Sequence, residues 1–131
     1  MLKPGALLLA TALLSGCAVL PGGSGASPAA RSELAPRGTL RAGMNLGNNL
    51  FTWKDRATGE LQGVSVDLMR ELGARLGVPV EFVVHATPGE VAERAPTGTW
   101  DVAILAIEPA RAKTITFSPP ITEIEAGYLV H

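Results

Sequence analysis

The chain has 131 residues, a length that suits a single domain. Eleven basic residues against twelve acidic ones leave a formal charge of −1, and aromatics make up only 5%. A chain with neither a basic surplus nor a stacking platform gives no reason to expect nucleic acid as a partner, and its 47% hydrophobic and 18% charged fractions are those of a globular protein.

In chain order, Lys3 precedes a short apolar run from Ala6 to Leu14. A permanent membrane helix needs about 20 apolar residues, so this run is too short to be one. A basic start and a short apolar run read as a secretory signal peptide over residues 1–17, which is set aside in reasoning about the fold. It ends in Leu14-Ser15-Gly16-Cys17, which resembles a bacterial lipobox: a branched residue, two small ones that let a peptidase reach the backbone, then cysteine. Cys17 is the only cysteine, so no disulfide can form within the chain. The lipobox resemblance implies a thioether-linked diacylglycerol and further acyl chains, palmitate among them, that hold the protein to a lipid bilayer on the outer side. The alternative is an ordinary signal peptide with an incidental cysteine. Residues 18–36, with Pro21-Gly22-Gly23-Ser24-Gly25-Ala26-Ser27-Pro28 at their centre, predict a flexible linker.

From Arg37 the pattern alternates between strand and helix. Thr39 to Met44 predicts a strand and Asn45 to Asn49 a polar loop. Phe51 to Trp53 and Glu60 to Gln62 flank Asp55-Arg56-Ala57-Thr58-Gly59, a turn or short hairpin. Val64, Leu68, Leu72 and Leu76 recur every four residues with Met69 beside them, and predict a core-packing helix. Ser65 is placed to cap it, Asp67 sits in its first turn, and Gly77 with Pro79 ends it. Val80 to Val84 reads as a buried parallel strand, Pro88 to Ala95 as a short helix, and Val102 to Ile107 as a second apolar strand. A helical turn should start at Pro109, followed by short strands at Ile115 to Phe117 and Ile124 to Val130. This order predicts an α/β fold with an open, mainly parallel βαβ sheet. Ligands of such sheets bind at the carboxyl ends of the strands, which points to the loops at residues 45–49, 85–87 and 106–111.

Several segments, taken in order, resemble the first lobe of a family-3 solute-binding protein, of the type 2 periplasmic-binding-protein fold. They are Gly38-Thr39-Leu40-Arg41-Ala42-Gly43, the stretch from Thr58 to Leu68, Leu76-Gly77-Val78-Pro79-Val80-Glu81-Phe82, Gly98-Thr99-Trp100-Asp101-Val102-Ala103, and Pro109-Ala110-Arg111-Ala112-Lys113 followed by Phe117-Ser118-Pro119. The resemblance covers residues 37–130 and implies a solute-binding lobe over residues 37–131. It also implies that the second lobe is missing from the sequence, so that ligand binding by the chain alone is millimolar at best.

The resemblance implies an extracytoplasmic binding component of an ABC importer, with an amino acid or related small polar solute as ligand and the importer's membrane subunits as partners. It places Arg111 as the anchor of the ligand's carboxylate, a role that a planar guanidinium fills with two parallel charge-assisted bonds. It places Phe51 as an aromatic in the cleft, with Asn48 and Asn49 in the same loop as hydrogen-bonding groups. Glu108 departs from the family, which has threonine or serine there. Two readings stay open: Glu108 caps the following turn and pairs internally with Arg111, or it faces the cleft and recognises a ligand amine or hydroxyl. His85 is a core or site-lining residue and makes no metal site by itself. Trp53 and Trp100 read as packing residues. The sequence has no Ser-His-Asp set, zinc spacing or phosphate loop, so no catalytic residue, metal ligand or cofactor is predicted. The alternative function is a periplasmic dehydratase of the cyclohexadienyl dehydratase type, with Glu108 as general acid.

Overall fold

The computed structural model describes residues 25–125 and residue 127. The signal peptide with Cys17, the first part of the linker and most of the last expected strand lie outside the described residues. Among the described residues, no helix is long and apolar enough to cross a membrane.

Chain order gives α1 (Pro28–Leu34), β1 (Leu40–Asn45), β2 (Trp53–Lys54), β3 (Leu61–Gln62), α2 (Val64–Leu76), β4 (Val80–His85), α3 (Pro88–Arg94) and β5 (Val102–Ala103), with 3-10 turns at Ala95–Thr97 and Arg111–Lys113. β1 is the central strand of a three-stranded sheet of order β4-β1-β5. It runs parallel to β4 from Leu40↔Val80 to Asn45↔His85, and parallel to β5 at Ala42↔Val102 and Gly43↔Ala103. Parallel neighbours need a crossover, and α2 supplies it between β1 and β4. The fold is therefore the expected α/β lobe with a parallel βαβ sheet.

Alternation along β1 divides the sheet into two faces. Leu40, Ala42 and Met44 are buried and pack with Val66, Met69 and Leu76 of α2. Gly43 points the other way, where an added Cβ would lie 2.9 Å from the Trp100 indole. That indole donates from Nε1 to the Val91 carbonyl of α3 at 2.9 Å, so Trp100 is a packing residue that ties α3 to the sheet.

Helix α2 has the expected ends but a different face. A four-residue repeat drifts by about 40° per step around a helix of 3.6 residues per turn. Leu76 is therefore buried, whereas Val64 and Leu68 are 54% and 42% exposed; the inner face runs through Val66, Met69, Gly73 and Leu76. Ser65 does not cap the helix. Gly63 holds the cap position, Ser65 lies buried in the first turn, and its N–H donates to the Phe51 carbonyl at 3.1 Å. A distant loop thus satisfies one of the free N–H groups at the start of α2. At the far end Gly77 adopts the left-handed conformation, and the Val78 N–H returns to the Gly73 carbonyl at 3.0 Å.

Gly63 has φ 120°, and a Cβ there would run into the Phe51 carbonyl. Gly63→Ala is expected to cost about 2 kcal/mol, because strain and a backbone clash coincide where α2 meets the 46–52 loop. Urea unfolding followed by circular dichroism reads this cost, and an unchanged midpoint would contradict it.

Four further expectations change. The linker predicted over residues 18–36 does not hold for its second half, where Pro28–Leu34 is helix and Ala35 is buried against Leu40 and Leu76. Ser27 caps that helix by accepting from the Ala30 N–H, Pro28 suits a first helical turn, and Leu34 and Ala35 find an apolar surface. The strand at Val80–His85 is parallel, but it forms an edge of the sheet, with Glu81 and Val84 exposed and its other residues half-buried rather than buried throughout. β5 is only two residues long, because its pairing with β1 stops at Ala103, and Ile115 to Phe117 forms no strand, because no strand pairs with it among the described residues. Ile124 and Glu125 are exposed and irregular, and residues 126 and 128–131 lie outside the described residues.

The hairpin β2–β3 forms around Asp55, whose Oδ1 accepts from the Ala57 and Thr58 N–H groups at 2.8 Å each. These backbone bonds from Thr58 and Ala57 hold the Asp55 carboxyl below its ordinary value.

Candidate functional site

Since β1, β4 and β5 are parallel, all three end on one edge of the sheet. The loops that follow them, 46–52, 86–87 and 104–110, leave from that edge, and each carries residues singled out from the sequence.

The third loop holds the charged pair. After β5 the chain runs irregularly to Glu108, whose carbonyl accepts the Ala112 N–H at 3.0 Å and so closes a helical turn. Positions three apart on such a turn share a face. Glu108 Oε1 accordingly lies 3.2 Å from Arg111 Nη1. The same Nη1 donates to the Ala106 carbonyl at 3.1 Å. The Arg111 side chain is only 16% exposed, whereas that of Glu108 is 51% exposed. Arg111 is thus held against its own loop, and Glu108 stands further out.

What the guanidinium leaves free matters more than what it uses. Both internal contacts fall on Nη1, and Nε and Nη2 bond to nothing among the described residues. Those two N–H groups point in parallel and form one of the fork edges that match a carboxylate. The internal pair therefore does not exhaust Arg111.

The first loop is built differently. Asn48 Oδ1 accepts the Leu50 N–H at 3.0 Å, an Asx turn, and its carbonyl accepts from Phe51 and Thr52 at 3.1 Å each. The Asn48 side-chain oxygen is thus engaged in shaping the loop, which leaves its amide N–H groups for other partners. Asn49 is exposed and lines an open surface depression of about 560 Å³ with Trp53, Lys54, Asp55 and Arg56. Phe51 is half-buried, and its backbone carbonyl holds the start of α2. The structure brings Glu108 and Arg111 together; it places Asn48, Asn49 and Phe51 on a second loop of the same edge, with no hydrogen bond joining the two groups among the described residues.

Two further atoms at this edge were not legible in the sequence. Asn45 Oδ1 and His85 Nε2 are buried and have no hydrogen-bond partner among the described residues. They belong to register partners at the ends of β1 and β4. Buried polar atoms are normally satisfied, so this is an unusual concentration of unused capacity.

Beneath the site, at the start of β5, Arg41 and Asp101 join the two strands. Arg41 Nε and its backbone N–H each donate to Asp101 Oδ2 at 3.0 Å, Nη2 donates to Oδ1, and the Asp101 N–H returns to the Arg41 carbonyl at 2.8 Å. Burial pushes the Asp101 carboxyl up, but the Arg41 side-chain and backbone bonds and the charges of Arg41 and Arg37 outweigh it and hold the group below its ordinary value. The bond to Asp101 raises the Arg41 guanidinium in turn.

Residues 40–131 match the family described as bacterial extracellular solute-binding proteins, family 3. Among solved structures, an ancestral cationic amino acid solute-binding protein is 35% identical over 70% of this chain and 40% of its own length, with a TM-score of 0.60. An ancestral cyclohexadienyl dehydratase is 31% identical over 70% of this chain and 38% of its own, with a TM-score of 0.62. A variant of domain 1 of the arginine-binding protein of T. maritima, in its arginine-bound form, is 29% identical over 70% of this chain and 71% of its own, with a TM-score of 0.61. The chain thus spans about 40% of the length of the first two structures and matches one lobe. No curated protein matches it.

Proposed function

The chain belongs to the bacterial extracellular solute-binding proteins of family 3, and from that premise we propose that it is the extracytoplasmic substrate-binding component of an ABC importer. Its solute is an amino acid or a related small polar molecule, and its protein partners are the importer's membrane subunits. Arg111 anchors the solute's carboxylate; Glu108, Asn48, Asn49 and Phe51 complete this lobe's wall of the cleft. Cys17 carries the lipid that holds the protein to the bilayer, residues 1–17 are the signal that leads to it, and residues 37–131 form the binding lobe. The observation that carries the reading is the free Nε–Nη2 edge of a guanidinium fixed at the carboxyl edge of the sheet. An arginine-bound first domain among the similar structures supports the idea that one lobe can retain a ligand.

One wall supplies only part of the contacts of a closed cleft, so the chain alone should bind weakly. A millimolar dissociation constant corresponds to about −4 kcal/mol. Titration of the purified chain with the common L-amino acids, followed by NMR shifts of the loop amides, is expected to give a value in that range. A micromolar constant would contradict the one-wall account, and the absence of any shift at high solute concentration would remove the binding reading.

The second reading is the dehydratase, favoured by the ancestral cyclohexadienyl dehydratase among the similar structures and by a half-exposed carboxylate, Glu108, on the loop after β5. Recovery of the solute separates the two: a binding protein returns it unchanged, whereas the enzyme returns a dehydrated product.

A further inference from the structure

We infer that residues 26–35 form a detachable strap. Docked, the strap closes the carboxyl end of α2 and covers Leu40 and Leu76; released, it melts, and the folded lobe begins at Leu40. The inference does not depend on what the lobe binds.

The seat of the strap follows from the carbonyls of α2. The last turn of a helix leaves four carbonyls without partners inside it. In α2 they are those of Gly73, Ala74, Arg75 and Leu76. The chain's own turn satisfies the first two, through the N–H groups of Val78 at 3.0 Å and Gly77 at 3.1 Å. The strap satisfies the other two: the Ala26 N–H donates to the Arg75 carbonyl at 3.0 Å, and Arg31 Nε donates to the Leu76 carbonyl at 2.7 Å. The guanidinium also sets a positive charge at the negative end of the helix dipole. The seat fits this side chain closely, since a Cβ on Gly77 would lie 2.5 Å from Arg31 Nη2. Beyond the helix, Ala35 closes over Leu40 and Leu76, with Ala30 and Leu34 packed partly against them.

The same contacts make the strap easy to release. α1 has seven residues and buries none of them. A helix shorter than about 12 residues does not persist alone in water, so α1 melts once it leaves the lobe. Few buried apolar contacts mark a segment that opens below the free energy of global unfolding. The contacts are also arranged in series. Preceding chain enters at Ala26, so a pull along it breaks the Ala26 bond first, then the Arg31 bond, then the cover at Ala35. At the other end Gly38, with φ 79° and no atom within 4 Å of an added Cβ, turns the chain into β1 and serves as the hinge. The sheet does not need the strap, because β1 is paired on both sides by β4 and β5.

Amide hydrogen exchange of the full chain, followed residue by residue by NMR, tests the inference. The amides of Ala26, Arg31 and Ala35 are expected to exchange as one group, about 100-fold or more faster than those of β1, yet slower than unprotected amides. Arg31→Gln should speed Ala26 and Ala35 by about tenfold, the scale of one hydrogen bond to a charged group, and leave β1 unchanged. Arg31→Lys, which keeps the charge at the end of α2, should fall between the two. Exchange of the strap at the rate of β1 would overturn the inference, since the segment would then open only with the whole lobe. Exchange at the unprotected rate would overturn it too, because nothing would then be docked. Arg31→Gln that leaves the group unchanged, or that speeds β1 equally, would remove Arg31 as the fastening and the strap with it.

Discussion

Arg111→Lys is expected to weaken solute binding by about 10- to 100-fold without unfolding the chain. The guanidinium does two jobs with different nitrogens: Nη1 bonds to the Ala106 carbonyl and pairs with Glu108, which leaves Nε and Nη2 for a carboxylate. A lysine has one nitrogen and no planar fork, so it must give up either the internal contacts or the bidentate bond. A hydrogen bond to a charged group is worth about 1.5–3 kcal/mol, which sets the range. The NMR titration proposed above measures the loss, and circular dichroism checks that the fold is kept. Affinity unchanged in the lysine variant would move the carboxylate anchor elsewhere, and the unsatisfied Asn45 and His85 atoms at the neighbouring strand ends would be the next place to look.

Asp101→Asn should lower stability by about 3 kcal/mol, the scale for breaking an ion pair withdrawn from water. The pair qualifies: the two side chains are 12% and 7% exposed, and Asp101 accepts from Arg41 through both oxygens. Its removal leaves Arg41 without its counter-charge in the clasp that joins the start of β5 to β1. β5 has only two residues of regular pairing, so little else holds it. The sign of the pH dependence follows from the direction of the shift. The Asp101 carboxyl is held below its ordinary value in the fold, so its contribution is complete above the unfolded value, about pH 4, and is lost as pH falls through the lowered one. Thermal unfolding of the wild type should therefore steepen its decline below about pH 4, and the asparagine variant should lack that part of the decline. Parallel profiles for the two proteins would show that the pair contributes nothing through its charge.

Much of this architecture was open to reading because the deciding signals are local. Gly77 and Pro79 end α2, and Thr87-Pro88 starts α3, where Thr87 Oγ1 accepts the Glu90 N–H at 3.2 Å. The Glu108–Arg111 pair belongs to the same class, since three-residue spacing on a turn brings side chains together whatever surrounds them. The misreadings depend on what lies far away in the chain. The face of α2 is set by where β1 lies, and no repeat within the helix reveals that. The cap of α2 comes from Phe51, and the fate of Ala35 from Leu40 and Leu76. Composition marked residues 18–36 as linker because glycine and proline dominate the average, while Ser27-Pro28 was a helix start within it. Whether Asn45 and His85 find partners is a tertiary property, so the sequence carries no sign of it.

Helix α1 has a mechanical consequence for attachment. Arg31 Nε grips the Leu76 carbonyl at 2.7 Å, and the Ala26 N–H holds the Arg75 carbonyl at 3.0 Å. With a lipid on Cys17, the leash that separates bilayer from lobe ends at Ala26 instead of Arg37. Fully extended chain covers about 3.5 Å per residue, so the maximum reach falls from about 70 Å to about 30 Å. The volume that the lobe can sweep shrinks roughly with the cube of that length, by about tenfold, and its effective concentration at a neighbouring membrane protein rises by the same factor. Under the proposed lipid anchor, a small helix docked against Leu40 and Leu76 would thus confine the lobe to a thin layer over the membrane and shorten its search for a membrane partner.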